Sequence, residues 1–208
     1  MRKIVAITYV SLDGVMQGPG GPDEDRSGGF ALGGWTVPFW DEMMGGLLTG
    51  LIEGAFDLLL GRRTYDLWAG YWPQNADNRI GRKFDAATKY VMTRGAPDLG
   101  WVRSQRIAGD AAQGVADLKA GAGPDLHVWG SGDALQSLIA TGLVDEYRTW
   151  IFPVLLGDGK RLFRPGLPAT SLALTGSQVS TTGVLINTYR PDGPARTGAV
   201  TSAADDGS

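Results

Sequence analysis

The sequence predicts an α/β fold, a three-layer α/β/α domain with a mostly parallel mixed sheet and a C-terminal antiparallel hairpin. Short apolar runs, such as residues 3–10 and 56–60, alternate with segments of helical periodicity, which is the pattern of strand-helix-strand units. Two of the strands run into glycine directly before a helix, at Gly61 and at Gly130. Residues 171–179 and 184–189 have the pattern of two strands joined by a short turn, which adds an antiparallel edge.

The composition fits one folded domain and excludes several classes of function. The 208 residues are 43% hydrophobic and 20% charged, which is ordinary for a globular chain. A net charge of −3 gives no reason to expect nucleic acid or an anionic membrane surface as a partner. The chain has no cysteine and one histidine, so we expect no metal site built on thiolates or on a histidine cluster.

The two ends of the chain complete this outline. The N-terminus lacks the pattern of a secretory signal and no apolar run is long enough to span a bilayer, so we predict a cytoplasmic protein without a membrane partner. We predict a single domain over residues 1–190. Residues 191–208 have no apolar periodicity, which predicts a disordered tail.

Residues 16–34 form a segment so rich in glycine, proline and acids that we do not expect it in the core. A loop of this length is typically a functional lid or mobile. Three aromatic residues follow it, Trp35, Phe39 and Trp40, and we expect two of the three to be ordinary core and one to close over a planar ligand. A helix is predicted to start at Pro38.

The first glycine turn carries an unusual charge pattern. Gly61 is followed by Arg62, Arg63 and Thr64 at the start of a predicted helix, where the helix dipole disfavours cations, so an anion would compensate them. Arginine forks around phosphate and threonine adds a hydroxyl donor. The alternative, arginines that are solvated or bonded to nearby carboxylates, stays open.

The second glycine turn, Gly130, Ser131 and Gly132, precedes a helix that begins near Asp133. Free N–H groups at such a helix start suit an anion, most often a phosphate. Glycine is equally common in any tight turn between a strand and a helix, so both interpretations stay open.

Five motifs in order resemble the dihydrofolate reductase-like family, in particular the C-terminal reductase domain of bifunctional riboflavin biosynthesis proteins. They are SLDG, LLLGRRTYDLW, YVMTR, VWGSGDALQSLI and GLVDEYRTWIFPVLLGDGKRLF, and the match extends from about Arg2 to Arg190. The resemblance implies the dihydrofolate reductase-like fold. It also implies an NADPH-dependent reductase that transfers hydride to a small heterocyclic substrate, pterin- or pyrimidine-like, or to a carbonyl substrate.

The resemblance also implies where the ligands lie. It places NADPH against a set of backbone and polar groups at the strand ends: Ala6, Gly61, Arg62, Arg63, Thr64, Thr93, Arg94, Gly130, Ser131, Gly132 and Asp133. Arginine near the ribose, where NAD-specific sites use an acid, favours NADPH. Thr149 matches a threonine that lines the substrate pocket of such reductases, and Trp35 is the aromatic residue we assign to the substrate.

Reduction of a C=N or C=O group also needs a proton. True dihydrofolate reductases place a carboxylate on the helix after the flexible loop, and Asp41 and Glu42 lie in the comparable region, with Asp13 as a third candidate. Helix capping and solvation explain Asp41 and Glu42 equally well. The alternative function is therefore a non-catalytic NADP- or pterin-binding module, and for either function we predict a homodimer.

Overall fold

A computed structural model gives the structure of this protein and describes residues 1–107 and 109–199. The strands are β1 (Ile4–Ser11), β2 (Phe56–Gly61), β3 (Lys89–Met92), β4 (Ser104–Ile107), β5 (Asp125–Trp129), β6 (Glu146–Phe152), β7 (Thr170–Val179) and β8 (Leu185–Pro194). The helices are α1 (Glu42–Leu51), α2 (Arg62–Tyr71), α3 (Arg79–Ala86), α4 (Ala111–Ala120) and α5 (Gly132–Ala140). Three short 3₁₀ turns lie at Ser27–Gly29, Val37–Phe39 and Pro73–Asn75.

All eight strands form one sheet in the order β4-β3-β2-β5-β1-β6-β8-β7. Every pair from β4 to β6 in this order is parallel, whereas β8 runs antiparallel to β6 and β7 antiparallel to β8. The predicted fold class, a mostly parallel mixed sheet with a C-terminal antiparallel hairpin, is confirmed.

Helices cover both faces of the sheet because the central strands are apolar on both faces. Along β1, Ile4 and Ala6 belong to a core shared with α4 and α5, and we call this side the α5 face. Val5 and Ile7 belong to a core shared with α1, α2 and α3, which we call the α1 face. These layers are the predicted three-layer arrangement.

The first helix begins later than predicted. Pro38 lies within the single 3₁₀ turn Val37–Phe39, after which Trp40 is extended. Asp41 is also extended and its carboxylate accepts the backbone N–H of Met44 at 2.8 Å, so α1 starts at Glu42. A side-chain N-cap is a stronger start signal than proline because it satisfies an N–H that would otherwise lack a partner.

The loop of residues 16–34, called the glycine-rich loop below, is packed against the domain. Phe30 is buried in a third core cluster with Val15 and Trp35, so the expectation that this segment lies wholly outside the core is wrong. The buried side chain of Gln17 holds it together by donating to the backbone carbonyls of Asp25 and Ser27 at 3.1 and 2.9 Å. These contacts compensate for a composition that by itself favours disorder.

The C-terminal hairpin is longer than predicted. Strand β8 continues to Pro194, so the predicted tail begins inside a strand. Local composition hides this extension because the strand ends in proline and glycine, and it is the pairing of Leu172 with Pro191 and of Thr170 with Pro194 that continues the hairpin. Residues 200–208 of the predicted tail lie outside the described residues.

Candidate functional site

The two predicted glycine turns lie side by side. Strands β2 and β5 are neighbours, and the chain leaves β2 for α2 on the α1 face but leaves β5 for α5 on the α5 face. Such a reversal opens a crevice at the carboxyl ends of parallel strands, where ligands of open α/β sheets bind. The backbone N–H of Gly61 donates to the Ser131 hydroxyl at 3.1 Å, which joins the two turns.

Two helix N-termini border the crevice. In both helices, the N-cap residue makes no side-chain hydrogen bond to the first turn. Gly61, the N-cap of α2, has no side chain. Ser131, the N-cap of α5, directs its hydroxyl to Gly61 and has left-handed backbone angles, φ 49° and ψ 47°. Two adjacent helix starts with N–H groups free of side-chain caps make a site suited to a group with two linked anions.

The arginines of α2 are paired with carboxylates. Arg62 donates to both oxygens of Asp66, one turn later, at 2.7 and 2.8 Å. Arg63 reaches Asp25 of the glycine-rich loop at 2.5 Å. The alternative that the sequence left open, arginines bonded to nearby acids, therefore describes the structure, and an incoming anion would compete with these acids.

The other predicted cofactor residues are distributed along the same carboxyl edge, with one exception. Thr93 and Arg94 directly follow β3, the neighbour of β2, and Arg94 is exposed. Asp133 is paired with Arg164 at 2.7 Å at the start of α5. The side chain of Ala6 is buried in the core of the α5 face, so only its backbone or the space beside it is available to a ligand.

There is little room for a side chain at Gly132, the first residue of α5. A Cβ atom there would lie 3.3 Å from Arg164 Nη2 and 3.3 Å from Met16 Sδ. Residues of the glycine-rich loop and of the segment after β6 therefore border the helix start directly. This contact brings Arg164 to the edge of the crevice, and the sequence pattern did not indicate that role.

Asp13 accepts three hydrogen bonds that hold the turn after β1 against residues 156–157, and its low pKa makes it a poor proton donor. It accepts the Ser11 hydroxyl at 2.6 Å and the backbone N–H groups of Leu156 and Gly157 at 3.1 and 2.9 Å. The Ser11 hydrogen bond, with the two backbone donors, lowers the pKa of Asp13 to about 2. The carboxylate is thus ionised at neutral pH and stabilises the turn between β1 and Val15.

Asp41 and Glu42 lie at the start of α1. Besides capping the helix, Asp41 accepts both the hydroxyl and the N–H of Thr181 at 2.6 and 2.8 Å, which ties α1 to the turn between β7 and β8. The Thr181 hydroxyl holds the pKa of Asp41 below its usual range. Glu42 is exposed in the first turn. The capping interpretation of Asp41 is confirmed.

A different carboxyl group has the properties of a proton donor. Glu24, in the glycine-rich loop, is half-buried and accepts the backbone N–H of Gly20. Burial raises its pKa and the neighbouring charge of Asp25 adds to this effect, while backbone hydrogen bonds from Gly20 and Gly21 oppose it. No periodic pattern in the sequence marks Glu24, because it lies in an acidic run within an irregular segment.

The charge of Glu24 acts on the phenol of Tyr9, near the carboxyl end of β1. Burial raises the pKa of Tyr9 and the charge of Glu24 raises it further. The Tyr9 ring packs edge-on against Trp40, Trp150 and Phe152, at centroid distances of 6.1, 5.3 and 5.9 Å. The Tyr9 phenol thus lies in an aromatic wall on the α1 face, and its pKa responds to the carboxyl group of Glu24.

The two predicted substrate residues lie on opposite sides of the sheet. Trp35 is buried against Phe152 on the α1 face, and its indole N–H donates to the backbone carbonyl of Gln17 at 2.8 Å. Thr149 is buried on the α5 face of β6, opposite Thr8 of β1. The aromatic ring that is open to a ligand is Trp40, which is 39% exposed and stacks on Trp150.

Within residues 1–107 and 109–199, no helix combines the length and apolar character needed to cross a membrane. The same residues contain no cluster of three or more histidine, aspartate or glutamate side chains arranged to hold a metal ion.

The strand order, the switch-point crevice and the C-terminal hairpin together define the dihydrofolate reductase-like fold. Dihydrofolate reductase from Enterococcus faecalis, solved with NADP(H) and RAB-propyl, superposes with a TM-score of 0.55 at 13% identity, covering 91% of this chain and 96% of that one. More specifically, the chain belongs to the RibD C-terminal domain family, whose model matches residues 2–186. The predicted family is confirmed.

Other relatives cover almost the whole chain. Protein YyaP of Bacillus subtilis (strain 168) is 28% identical over 196 residues, which are 92% of this chain and 96% of YyaP. A riboflavin biosynthesis protein from Shewanella sp. PV-4 superposes with a TM-score of 0.65 at 22% identity, over 92% of this chain and 99% of that one. A pyrimidine reductase-like protein from Corynebacterium diphtheriae gives 0.57 at 13% identity, over 92% of each chain.

Proposed function

We propose that this protein is an NADPH-dependent reductase that transfers hydride to a small heterocyclic substrate, pterin- or pyrimidine-like, or to a carbonyl substrate. Membership of a reductase family supports the reaction class, and the E. faecalis relative with NADP(H) supports the cofactor. The observation that carries the proposal is the contact between Gly61 and Ser131, which sets two helix N-termini together at the switch point.

The residues at the crevice fit a dinucleotide phosphate. The N-termini of α2 and α5 would hold the pyrophosphate, and the close approach of Gly61 to Ala134, where a Cβ would lie 3.3 Å away, favours a residue without a side chain at that point. Arg62, Arg63 and Arg94 lie on the side of β2 and β3, where they would meet the ribose phosphate. Bound NADPH would supply the hydride.

The chain itself would provide the proton, a flat surface and the exclusion of water. Burial raises the pKa of Glu24, so it holds a proton more firmly than an exposed carboxyl group does, and its charge acts on Tyr9. Tyr9 and Trp40 give a planar substrate an aromatic surface on the α1 face. The glycine-rich loop would shield the acceptor from water. In this proposal Tyr9 and Trp40 take the substrate role first assigned to Trp35 and Thr149, and Glu24 takes the proton-donor role first assigned to Asp13, Asp41 and Glu42.

Binding of the two nicotinamide cofactors tests this function. The purified protein is titrated with NADPH and separately with NADH while the emission of its seven tryptophans is recorded. We expect saturable quenching with tighter binding of NADPH, and at least tenfold weaker NADPH binding after Arg62→Ala. The control is Arg79→Ala, which removes an exposed arginine of α3 that is paired with Glu53. Failure to bind either cofactor at millimolar concentration would refute the proposal.

One observation favours the alternative function, a non-catalytic NADP- or pterin-binding module. Asp13 and Asp41 are both committed to structural hydrogen bonds and Glu42 is exposed on α1, so the proposed reductase depends on Glu24 for its proton. A protein that binds NADPH and a pterin, but oxidises NADPH no faster with any pterin, pyrimidine or carbonyl compound, would be such a module.

For either function we propose a homodimer formed through the C-terminal hairpin. The α5 face of β7 and β8 presents four exposed aliphatic side chains, Leu172, Leu174, Val179 and Leu185. They extend along strands of ten residues at one end of the sheet. Exposed apolar patches of this kind mark interfaces, and a second copy would bury the same residues by two-fold symmetry.

A further inference from the structure

Asp25 bridges two cations across the carboxyl edge of the sheet. Its Oδ1 atom lies 2.5 Å from Arg63 Nη2, in the first turn of α2, and its Oδ2 atom lies 2.7 Å from Lys160 Nζ, in the segment after β6. The bridge therefore connects three separate parts of the chain beside the crevice. One carboxylate between two cations leaves the group with a net positive charge.

The two arms of the bridge differ in how firmly they are held. Asp25 is also bonded to the hydroxyl and N–H of Ser27 at 2.6 and 3.0 Å, and the backbone N–H of Lys160 donates to the Gln17 side chain at 3.0 Å. The Asp25 side chain is 15% exposed, whereas that of Arg63 is 60% exposed. Exposed ion pairs contribute little net free energy, so the pair with Arg63 is the weaker of the two.

We propose that Arg63 and Lys160 form a clamp for a phosphate group of the bound nucleotide, and that Asp25 occupies this clamp as an internal anion until the phosphate arrives. The inference rests on the proposed function and deepens it. It assigns a ligand contact to Lys160 and a competing role to Asp25.

Geometry brings the phosphate to Arg63, and charge makes Asp25 its competitor there. Arg63 lies in the first turn of α2, so a nucleotide whose pyrophosphate binds the start of that helix would bring its ribose phosphate within reach of the Arg63 guanidinium. Burial opposes ionisation of Asp25, but hydrogen bonds from Lys160 and Ser27 outweigh it and lower its pKa to about 2. The Asp25 carboxylate is therefore charged at neutral pH, and it repels the phosphate that would replace it as the partner of Arg63.

The exchange links ligand binding to the glycine-rich loop. Release of Arg63 detaches the loop from α2, while Gln17 and Lys160 still hold its base. A phosphorylated nucleotide thus loosens the segment that carries Glu24. NADH lacks the ribose phosphate and would leave the clamp closed.

The experiment uses 2′,5′-ADP, which carries the phosphates but no nicotinamide, and compares two variants of the glycine-rich loop. Asp25→Asn removes the internal anion. Asp23→Asn is the matched control, because Asp23 lies in the same loop, is 80% exposed and pairs with Arg26. We expect 2′,5′-ADP to bind Asp25→Asn at least fivefold more tightly than wild type, Asp23→Asn within twofold, and Lys160→Ala at least fivefold more weakly. Unchanged or weaker binding to Asp25→Asn with an unaltered melting temperature would overturn the proposal.

Trypsin cleavage after Arg26 provides a second readout in case Asp25→Asn disturbs the loop. We expect 2′,5′-ADP to increase the cleavage rate of the wild type, and Arg63→Ala to increase it without ligand. Equal rates in all three samples would overturn the exchange. If NADPH and 2′,5′-ADP both fail to bind any variant, the proposed function fails with the clamp; if NADPH binds equally to wild type and Asp25→Asn, only the clamp fails.

Discussion

Gly61 and Ser131, which are 70 positions apart in the chain, are joined by a hydrogen bond of 3.1 Å from a backbone N–H to a hydroxyl. The bond sets the spacing of two helix N-termini, and Ser131 adopts a left-handed backbone to make it. A non-glycine residue in that region costs roughly 1 kcal/mol or more. The structure therefore accepts local strain at the point where the proposed cofactor binds.

Substitutions at Ser131 separate the strain from the hydrogen bond. Ser131→Ala loses the bond and keeps the strain, so we expect a loss of about 1 to 2 kcal/mol in the free energy of unfolding. Ser131→Gly loses the same bond but relieves the strain, so it should lie within about 0.5 kcal/mol of wild type. Urea denaturation measures both. Equal destabilisation by both variants would contradict the assigned strain.

His127 predicts how stability depends on pH. The ring stacks on Phe56 at 4.6 Å, and burial, with a further contribution from the charge of Arg148, lowers its pKa to about 4 from 6.5. The unfolded state binds the proton first, so the protein loses stability as pH falls from 6.5 to 4. Between pH 7 and pH 5 the loss is about 2 kcal/mol.

Urea unfolding at pH 7 and pH 5 measures this loss, and His127→Phe, which keeps the stack, should remove most of it. The lowered pKa values of Asp13 and Asp25, both about 2, act in a separate window. Their stabilising effect is lost only below about pH 4. An equal decline between pH 7 and pH 5 in wild type and His127→Phe would rule out the histidine as the cause.

The local sequence predicts the elements of this fold better than it predicts the site. The turns at Gly61 and Gly130 are local patterns, and both lie where the strand order brings them together. The alternation along β6 correctly separates Thr149 from Trp150, but it cannot tell which face borders the crevice, since that depends on the helices on each side. The Asp25 and Arg63 pair spans 38 positions between a loop and a helix, and no periodicity records such a contact.

Thr8 and Thr149 test whether the α5 face of β1 and β6 has a polar function. Both hydroxyls are buried and have no hydrogen-bond partner among the described residues. A buried hydroxyl without a partner is destabilising, so we expect Thr8→Val and Thr149→Val each to stabilise the protein by about 0.5 to 1 kcal/mol. Thermal unfolding and NADPH titration together check this. Destabilisation would show that the hydroxyls have a favourable role in the folded protein. Loss of substrate turnover in Thr149→Val alone, measured with NADPH binding intact, would return Thr149 to the substrate pocket.

The exposed leucines of the C-terminal hairpin predict the oligomeric state. Leu174 is 56% exposed at the centre of the proposed interface. We expect the wild type to sediment as a dimer and Leu174→Glu to weaken the dimer at least a hundredfold, because a buried unpaired charge is strongly unfavourable. Leu67→Glu, at a 40% exposed leucine on α2, is the control and should remain dimeric. The proposed dimer would be contradicted if the wild type stayed monomeric even at a protein concentration 100 times that used in the cofactor titration.

Glu24 predicts the pH dependence of turnover. If its carboxyl group donates the proton, kcat falls as pH rises through its raised pKa, because the acid must be protonated. Glu24→Gln should lower kcat by roughly 100-fold or more and remove this decline, while NADPH affinity changes less than twofold. Asp23→Asn, at the exposed acid of the same loop, should keep both kcat and its pH profile.

A titration without cofactor checks the same pair of groups independently of activity. The negative charge of Glu24 contributes to the raised pKa of Tyr9, so Glu24→Gln should lower the pKa of that phenol, measured by ultraviolet difference absorbance against Tyr9→Phe. A shift in the phenol with kcat unchanged would show that Glu24 is close to Tyr9 but does not supply the proton. If the pKa of Tyr9 stays the same while kcat falls, Glu24 is not close to Tyr9. The loss of activity would then come from a change in the glycine-rich loop and not from a missing proton donor.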